Sequence, residues 1–322
     1  MKVVIPGGSG QVGTILARAL HRDGHEVVVF SRRRAVRPWR VVLWDGATLG
    51  NWRSEIDGSD AVINLTGRSV NCRYTAANRE EILQSRVLST RVIGQAVATA
   101  ARKPHVWLQA STATIYAHRY DSPNDEHSGI LGGDEPGAPD SWRFSIDVAR
   151  AWERAFEEAV VNGTRKVALR SAMTLSPDPG GVFDTLLGLV RRCLGGSAGD
   201  GRQFMSWVHH EDFIAAVRWL IDRDDIEGAV NIAAPNPLPN AEFMQILREA
   251  CGVPLGLPAT KWMLEIGAVF MRTETELILK SRRVVPARLL EHGFNFKYPN
   301  WLDAAFDLCR QSSGARNEAH AA

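Results

Sequence analysis

The sequence has few cysteines and none of the long apolar runs that a membrane-spanning helix needs. Its four cysteines lie far apart and form no CxxC pair, so neither a disulfide framework nor a zinc site is expected. No apolar run approaches the roughly 20 residues that cross a bilayer. The N-terminal MKVVIPGGSG reaches glycine too early for a signal peptide. These absences predict a cytoplasmic protein with reduced thiols, no metal ion and no membrane partner.

A strong charge of either sign is also missing. The formal net charge is +2, from 38 basic and 36 acidic residues. This balance gives no electrostatic reason to expect nucleic acid or a membrane surface as a partner. The chain of 322 residues, with 45% hydrophobic and 23% charged residues, is ordinary for a globular protein of one large domain or two smaller ones.

The first half of the chain alternates short apolar runs with helical patterns. The sequence predicts strands at 2–6, 26–30, 41–45, 60–67, 106–112 and 166–176, with helices at 11–24, 74–104 and 142–161. Strands that are apolar throughout must be covered on both faces, which is typical of a parallel sheet between helices. The predicted fold is therefore α/β, a doubly wound parallel-sheet Rossmann fold.

The pattern changes after residue 176, where the turn PDPGG precedes further helices and a strand at 229–235. We predict an NADP-binding Rossmann domain over 1–176, to whose sheet the later strand returns. A smaller C-terminal α/β substrate lobe is predicted over 177–310, and a flexible tail over 311–322. No repeat or low-complexity linker divides the chain, so one compact unit is expected.

The segment GGSGQVG spaces Gly7, Gly10 and Gly13 directly after a strand and before a helix. The first glycine permits a tight turn, the second lets the backbone approach a pyrophosphate, and the third lets the helix pack on the strand. The helix start, with Gln11 and Val12, would bind the phosphates through its N–H groups. A turn without a ligand is the alternative, but the strand-loop-helix context favours dinucleotide binding.

The end of the second strand indicates which dinucleotide is bound. An NAD site needs an acidic residue there for the ribose 2′-hydroxyl. This chain has Ser31, Arg32 and Arg33 instead. A hydroxyl and two guanidinium groups suit a 2′-phosphate, which Arg binds in a bidentate way. The sequence therefore predicts NADP(H), with a solvated basic loop as the alternative.

Ligands of open parallel sheets bind at the carboxyl ends of the strands, so residues there extend the predicted cofactor site. Asp45 ends the third strand, where an adenine could lie. Glu81 or Arg86 of the long helix could face the cofactor, with a surface pair as the alternative. The remaining predicted contacts end the fourth and fifth strands: Asn64, Leu65, Thr66, Gly67 and Ser111.

The chain resembles the extended short-chain dehydrogenase/reductase superfamily, and more closely an "epimerase family" branch with a DUF1731-type C-terminal domain of unknown function. The resemblance covers nearly the whole chain and implies a Rossmann fold and NADP binding, without an established substrate. It rests on GGSGQVG, the WD of VVLWDG, NLTG (64–67), SRVLST (85–90), LRSAMTLSPDPGG (169–181), LGGSAGDGRQFMSWVHHED (194–212), AAPNPLPNAEF (233–243) and RRVVPARLLEHGF (282–294).

The Tyr-x-x-x-Lys pair of catalytically typical superfamily members is absent. Its register in WRFSIDVARAWE holds Phe144 and Val148, which predicts a packing helix without the standard proton relay. The resemblance puts Thr112 at the position whose hydroxyl orients the substrate oxygen, with turn capping as the alternative. Tyr116 is the nearest candidate proton donor, or else a core tyrosine bonded to backbone.

Further polar residues are candidates for substrate binding. Arg170 leaves a predicted strand toward the cleft and could meet an anionic substrate. Three residues of GDGRQFMSW could bind a polar, partly flat ligand or fix the lobe to the sheet: Arg202, Gln203 and Trp207. We expect His209 and Asp212 to form a capping box, and Glu153 to cap or pair along its helix.

Two functions remain open. The first is an NADP(H)-dependent oxidoreductase or epimerase-like enzyme with a non-standard site, acting on a small carbonyl or hydroxyl substrate. The second is a non-catalytic NADP(H)-binding sensor or scaffold, which the missing Tyr and Lys favour. The retained cleft motifs favour the enzyme. A homodimer through the long helices (74–101 and 142–161) is a further possibility.

Overall fold

The computed structural model describes residues 1–135, 139–260 and 276–321. Its strands are β1 (Lys2–Pro6), β2 (Glu26–Ser31), β3 (Arg40–Leu43), β4 (Ala61–Asn64), β5 (Val106–Thr112), β6 (Arg165–Ser171), β7 (Met173–Leu175), β8 (Phe204–Met205), β9 (Trp207–His209), β10 (Gly228–Ile232) and β11 (Leu238–Pro239). Its helices are α1 (Gln11–Arg22), α2 (Ala76–Thr99), α3 (Asp140–Glu157), α4 (Val182–Arg191), α5 (His210–Asp222), α6 (Asn240–Ala250), α7 (Glu276–Leu279), α8 (Ala287–Glu291) and α9 (Trp301–Ala321), with 3-10 turns at Asn51–Glu55 and Ala113–Ile115.

Seven strands form one sheet in the order β10-β6-β5-β4-β1-β2-β3. Every neighbouring pair in this sheet is parallel. The order reverses between β1 and β4, which creates the crevice where doubly wound sheets bind their ligands. The predicted Rossmann fold is confirmed.

The sheet separates two apolar layers, which explains why its strands are apolar throughout. Val3 and Ile5 of β1 face the side covered by α1 and α5. Val4 faces the opposite side, where Trp107 and Phe156 meet at a ring-centroid distance of 4.7 Å. Because alternate side chains point to opposite faces, each strand contributes to both layers.

Several elements differ from the predicted ranges. The predicted strand at 166–176 divides into β6 and β7, because β7 leaves the main sheet to pair with β9. The predicted strand at 60–67 ends at Asn64, so the residues after it form a loop at the sheet edge. The segment 311–321, predicted as part of a tail, continues helix α9.

The C-terminal half contributes to the sheet and also builds a second core. Helix α5, which the predicted boundary assigns to the lobe, packs on α1 because its apolar face carries Phe213 and Val217. The second core lies among α4, α6 and α9, where the rings of Phe243 and Trp301 stack at 4.0 Å. Across the described ranges, none of the helices is long and apolar enough to cross a membrane.

Candidate dinucleotide and substrate site

The loop after β1 requires glycine at two points. Gly7 has φ +74°, and a Cβ there would lie 2.7 Å from the Thr66 backbone. A Cβ on Gly13 would lie 2.5 Å from the Cα of Gly8, so the first turn of α1 packs directly on the loop. At Gly10 the nearest such contact is the Gly7 carbonyl at 3.7 Å, which leaves this side of the loop open. The glycine spacing therefore forms a cradle at the start of α1.

The loop after β4 lies against that cradle. Leu65 donates its N–H to the carbonyl of Pro6 at the end of β1, at 2.9 Å. Asn64 is buried; its Nδ2 donates to Gln109 and its Oδ1 accepts from the N–H of Thr66. The Asn64 side chain thus holds the backbone of the loop in place. The structure brings 7–13 and 64–67 together at the switch point of the sheet.

Two polar atoms at this junction have no hydrogen-bond partner among the described residues. They are the Oγ1 of Thr66 and the Nε2 of Gln11, which extends from the start of α1 to Gly181 in the turn before α4. Both atoms are buried, and buried polar atoms are normally satisfied. A polar ligand lying along both loops would satisfy them. The residues present therefore fit a dinucleotide.

The end of β2 carries the predicted 2′-phosphate residues. The buried Ser31 accepts a hydrogen bond from the N–H of Arg33 at 3.2 Å, which orders the strand end. The side chains of Arg32 and Arg33 are exposed, and neither forms an ion pair with a described residue. Two guanidinium groups therefore remain available beside the cradle.

Asp45 is already engaged within its own loop. Its carboxylate accepts hydrogen bonds from the N–H groups of Ala47 and Thr48 and from the Thr48 hydroxyl. The bonds from Thr48, followed by that from Ala47, lower the pKa of Asp45. Asp45 consequently caps the turn that follows β3. Its carboxylate oxygens already accept hydrogen bonds within this turn, so its backbone is the part left to contact an adenine.

The long helix α2 supports the β4 loop. Glu81 pairs with Arg68. Arg86 donates to the carbonyls of Arg68 and Ile82 at 3.0 Å and lies over the Trp152 ring. Burial lowers the pKa of Arg86 to about 10. A Cβ on Gly67 would lie 3.1 Å from the guanidinium carbon of Arg86, so Arg86 packs closely on the loop. Glu81 and Arg86 therefore have separate partners and do not pair with each other.

Thr112 caps the turn that follows β5. Its Oγ1 accepts a hydrogen bond from the N–H of Thr114 at 3.1 Å, which is the capping role, and no described residue accepts its hydroxyl proton. The residue is half-buried. Its neighbour Ser111 points to the other face of the strand and donates to Glu153 at 2.5 Å. The two hydroxyls therefore have different surroundings.

Tyr116 and Arg170 lie in a buried network. The Tyr116 hydroxyl accepts from Arg170 at 2.9 Å and donates to Asn231 at 3.0 Å. Tyr116 is 2% exposed, and burial raises the pKa of its hydroxyl. The guanidinium of Arg170 forms a bidentate pair with Glu153 at 2.7 and 2.8 Å. Burial alone would lower the pKa of Arg170, but Glu153 raises it.

Glu153 is the residue of this network whose role sequence reasoning missed. The sequence predicts that it caps or pairs along α3, but it pairs across to β5 and β6. A single acid on an amphipathic helix gives no signal of such a partner. Its side chain is 8% exposed and lies one helical turn beyond the buried Ala149, so it faces the sheet.

The two positions of the missing Tyr-x-x-x-Lys pair hold apolar residues that pack against their neighbours. Phe144 meets Tyr74 at a centroid distance of 5.0 Å, and Arg79 lies over its ring. Val148 is buried in the same small cluster. These contacts agree with the prediction that the helix packs through an apolar stripe and carries no tyrosine-lysine relay.

The candidates in GDGRQFMSW separate into two groups. Gln203 is 2% exposed, and its Nε2 donates to the carbonyls of Ala198 and Ile278. Trp207 is fully buried, 5.1 Å from the Trp301 ring. Both thus fix the lobe, which was the alternative interpretation. Arg202 is exposed and lies over the Tyr120 ring at 5.7 Å, so its guanidinium remains accessible.

His209 caps α5 as expected, whereas Asp212 does not complete a capping box. The His209 Nδ1 accepts from the N–H of Glu211 at 3.2 Å. Asp212 instead accepts from the backbone N–H groups of Lys297 and Tyr298. Residues so far along the chain could not be identified as its partners from local spacing.

We expect the His209 environment to make unfolding pH-dependent. Burial, and then the neighbouring His210, lower the pKa of His209 far below its ordinary 6.5. Below pH 6.5 the unfolded chain binds a proton that the folded chain does not. The free energy of unfolding therefore decreases as the pH is lowered. The free energy of unfolding should drop by about 1–2 kcal/mol between pH 7 and 5 from this group. Urea titrations of wild type and His209→Asn should show a smaller drop in the variant.

His105→Asn is the control for this experiment, because His105 is exposed and forms no ion pair with a described residue. Its pH dependence should match that of wild type. An equal slope in wild type and His209→Asn would contradict the linkage to His209.

Comparison with known proteins agrees with this architecture. The profile of the "NAD dependent epimerase/dehydratase family" matches residues 3–233, and that of the domain of unknown function DUF1731 matches 259–308. An epimerase family protein SDR39U1 from Bos taurus is 31% identical over 303 residues, covering 93% of this chain and 96% of that protein. An epimerase family protein from Staphylococcus epidermidis is 29% identical over 309 residues, covering 96% and 99%.

A solved structure is also similar over the full fold. The crystal structure of human epimerase family protein SDR39U1 with NADPH superposes with a TM-score of 0.84 at 28% identity. The match covers 96% of this chain and 99% of that one.

Proposed function

Because the chain belongs to the NAD dependent epimerase/dehydratase family, we propose that it is an NADP(H)-dependent oxidoreductase or epimerase-like enzyme. Its substrate is a small carbonyl or hydroxyl compound. The observation that carries the proposal is the junction of the glycine loop with the β4 loop. The buried Oγ1 of Thr66, and the buried Nε2 of Gln11 that lies against Gly181, lack partners there among the described residues. The human relative crystallised with NADPH supports the same cofactor.

Each part of the cleft has a role in this proposal. The backbone of Gly7, Gly10 and Gly13 approaches the pyrophosphate, and the start of α1 supplies N–H groups. Arg32 and Arg33 bind the 2′-phosphate beside Ser31. The cofactor, when bound, supplies or accepts the hydride, and the protein orients it and excludes water.

On the substrate side, Thr112 supplies the hydroxyl that orients the substrate oxygen. Its Oγ1 accepts from the N–H of Thr114, and no described residue accepts its proton, so the proton can be donated to a substrate oxygen. Arg202 is the accessible cation for an anionic substituent. Tyr116 and Arg170 support the site from within, since the Tyr116 hydroxyl already accepts one hydrogen bond and donates another. We therefore assign the proton transfer to another group.

Thr112→Val should lower the turnover of a reducible carbonyl about 100-fold or more, because the substrate oxygen loses its orienting hydrogen bond in the transition state. NADPH affinity should stay within about twofold, since the substitution is nearly isosteric and lies outside the phosphate loops. NADPH oxidation in a carbonyl screen and a fluorescence titration measure the two quantities.

Thr99→Val is the control, because this exposed threonine bonds only to carbonyls of its own helix α2 among the described residues. Unchanged turnover in Thr112→Val would remove Thr112 from the reaction. The packed Phe144–Val148 register favours one other function, a non-catalytic NADP(H)-binding sensor or scaffold. That function predicts tight NADPH binding with no carbonyl turnover in the whole screen.

A further inference from the structure

A buried lysine lies at the turn that Thr112 begins. Lys280 is 1% exposed, and its Nζ donates to the carbonyl oxygen of Thr114 at 2.9 Å. Lysine is almost never fully buried without a specific reason. The residue comes from the C-terminal segment that follows α7, and 166 positions separate it from its partner.

The same segment brings further charged groups to this place. Arg282 donates from Nε to the Thr114 hydroxyl at 3.0 Å and lies 3.7 Å from Glu276. Ser145, the neighbour of Phe144 on α3, donates to the Glu276 carboxylate. The segment 276–282 therefore contacts both the Thr112 turn and the helix whose tyrosine and lysine are missing.

The surroundings of Lys280 favour proton exchange near neutral pH. Burial and the adjacent Arg282 lower the pKa of Lys280 to about 8, while Glu276 and Glu135 oppose the change. His118, which also faces this cluster, has a pKa lowered by burial and by Lys280. An amine with such a pKa can give and regain a proton during turnover, which an arginine cannot.

The hydrogen-bonding capacity of Lys280 exceeds what its structural contact uses. An ammonium group carries three N–H donors. Among the described residues, the Thr114 carbonyl is the one hydrogen-bond acceptor that Nζ reaches. A lysine that only held the turn would need no more than this bond. Two donors therefore remain at Thr114, two residues beyond Thr112, whose hydroxyl the proposed function assigns to the substrate oxygen.

We propose that Lys280 donates the proton to the substrate oxygen in the reduction, replacing the absent tyrosine-lysine pair. This inference rests on the proposed function. The carbonyl carbon receives the hydride with its electron pair, and the carbonyl π electrons move to oxygen. That oxygen takes a proton from Nζ, which becomes a neutral amine and regains a proton from water. In sum, a carbonyl compound, NADPH and a proton give an alcohol and NADP⁺.

The first test measures Lys280 without any turnover. The chain has six lysines, so ¹³C,¹⁵N-lysine labelling gives few side-chain NMR signals. The signal absent from Lys280→Met identifies Lys280. We expect its titration midpoint near pH 8, against about 10.4 for an ordinary lysine. A midpoint at 10 or above overturns the proposal.

The second test separates proton donation from positioning. Lys280→Met and Lys280→Arg should each lower kcat at least 100-fold, with NADPH affinity within twofold of wild type. Lys280→Arg keeps the charge and the donor to Thr114 but cannot release a proton. Wild type should also lose kcat as pH rises through the NMR midpoint. Lys297→Met, at an exposed pair with Glu211, is the matched control and should keep full activity.

The outcomes distinguish the two proposals. Full turnover in Lys280→Arg, or a wild-type pH profile unrelated to the NMR midpoint, makes Lys280 a positioning residue and overturns the inference while leaving the oxidoreductase intact. A wild type that binds no NADPH, or reduces no carbonyl, ends the proposed function and the Lys280 role together. Thermal melting of each variant excludes loss of fold as the cause.

Discussion

Replacing Arg32 and Arg33 together by alanine should weaken NADPH binding about 100-fold or more, because charge-assisted hydrogen bonds contribute about 1.5–3 kcal/mol each. NADH binding should change by less than about twofold, since NADH lacks the 2′-phosphate that these side chains would meet. Fluorescence titrations of both nucleotides, at one fixed ionic strength, measure the two affinities.

The expected loss of NADPH affinity follows from the surroundings of Arg32 and Arg33. Neither guanidinium has an ion-pair partner among the described residues, so a phosphate would not need to displace an acid. The bond from the Arg33 N–H to the buried Ser31 holds the backbone at the strand end, and alanine leaves this bond in place. The loss should therefore appear in affinity and leave stability unchanged.

Arg34→Ala with Arg37→Ala is the matched control, because it removes two exposed positive charges from the same basic run. This variant tests for a general effect of charge on an anionic ligand. Equal binding of NADPH and NADH by wild type would end the 2′-phosphate argument while leaving the Rossmann fold intact. An equal loss in both double variants would assign the effect to net charge.

Arg170→Met should reduce the free energy of unfolding by about 3–5 kcal/mol, because it leaves the Glu153 carboxylate buried without its cation. Glu153 and Arg170 have side-chain exposures of 8% and 11%, and their pair is bidentate. Equilibrium urea unfolding measures the change. Such a loss would be a large fraction of the stability of an ordinary domain.

The double variant Glu153→Leu with Arg170→Met tests the reason for the loss. Removing both charges should recover at least half of the stability, since apolar pairs of similar volume can replace a buried ion pair. The control is Arg18→Met, whose bidentate partner Asp178 is at the surface, and its cost should stay below about 1 kcal/mol. A cost below 1 kcal/mol for Arg170→Met itself would contradict the buried network.

This network also changes the interpretation of Tyr116. The sequence allows two roles for Tyr116, a proton donor or a core tyrosine bonded to backbone. The hydroxyl is buried, but its partners are the side chains of Arg170 and Asn231. The distance of 115 positions between Tyr116 and Asn231 explains why no local pattern indicated the contact.

The sequence by itself determined the features that depend on local order along the chain. Apolar strands alternating with helices require a covered parallel sheet, and the glycine spacing of 7–13 requires a close loop between β1 and α1. The family, the fold and the absence of the tyrosine-lysine register at Phe144 and Val148 were all readable in this way. The substrate, the homodimer and the domain boundaries stay predictions.

Only the tertiary structure decided which side chains meet across the chain. The pairing of Glu153 with Arg170, the engagement of Asp45 within its own turn and the contact of Lys280 with Thr114 depend on side-chain direction and on elements distant in sequence. A charged residue has the same appearance in a sequence whether it is solvated or buried. Its partner exists only once the sheet, α3 and the C-terminal segment have packed together, and that packing sets both its charge state and its role.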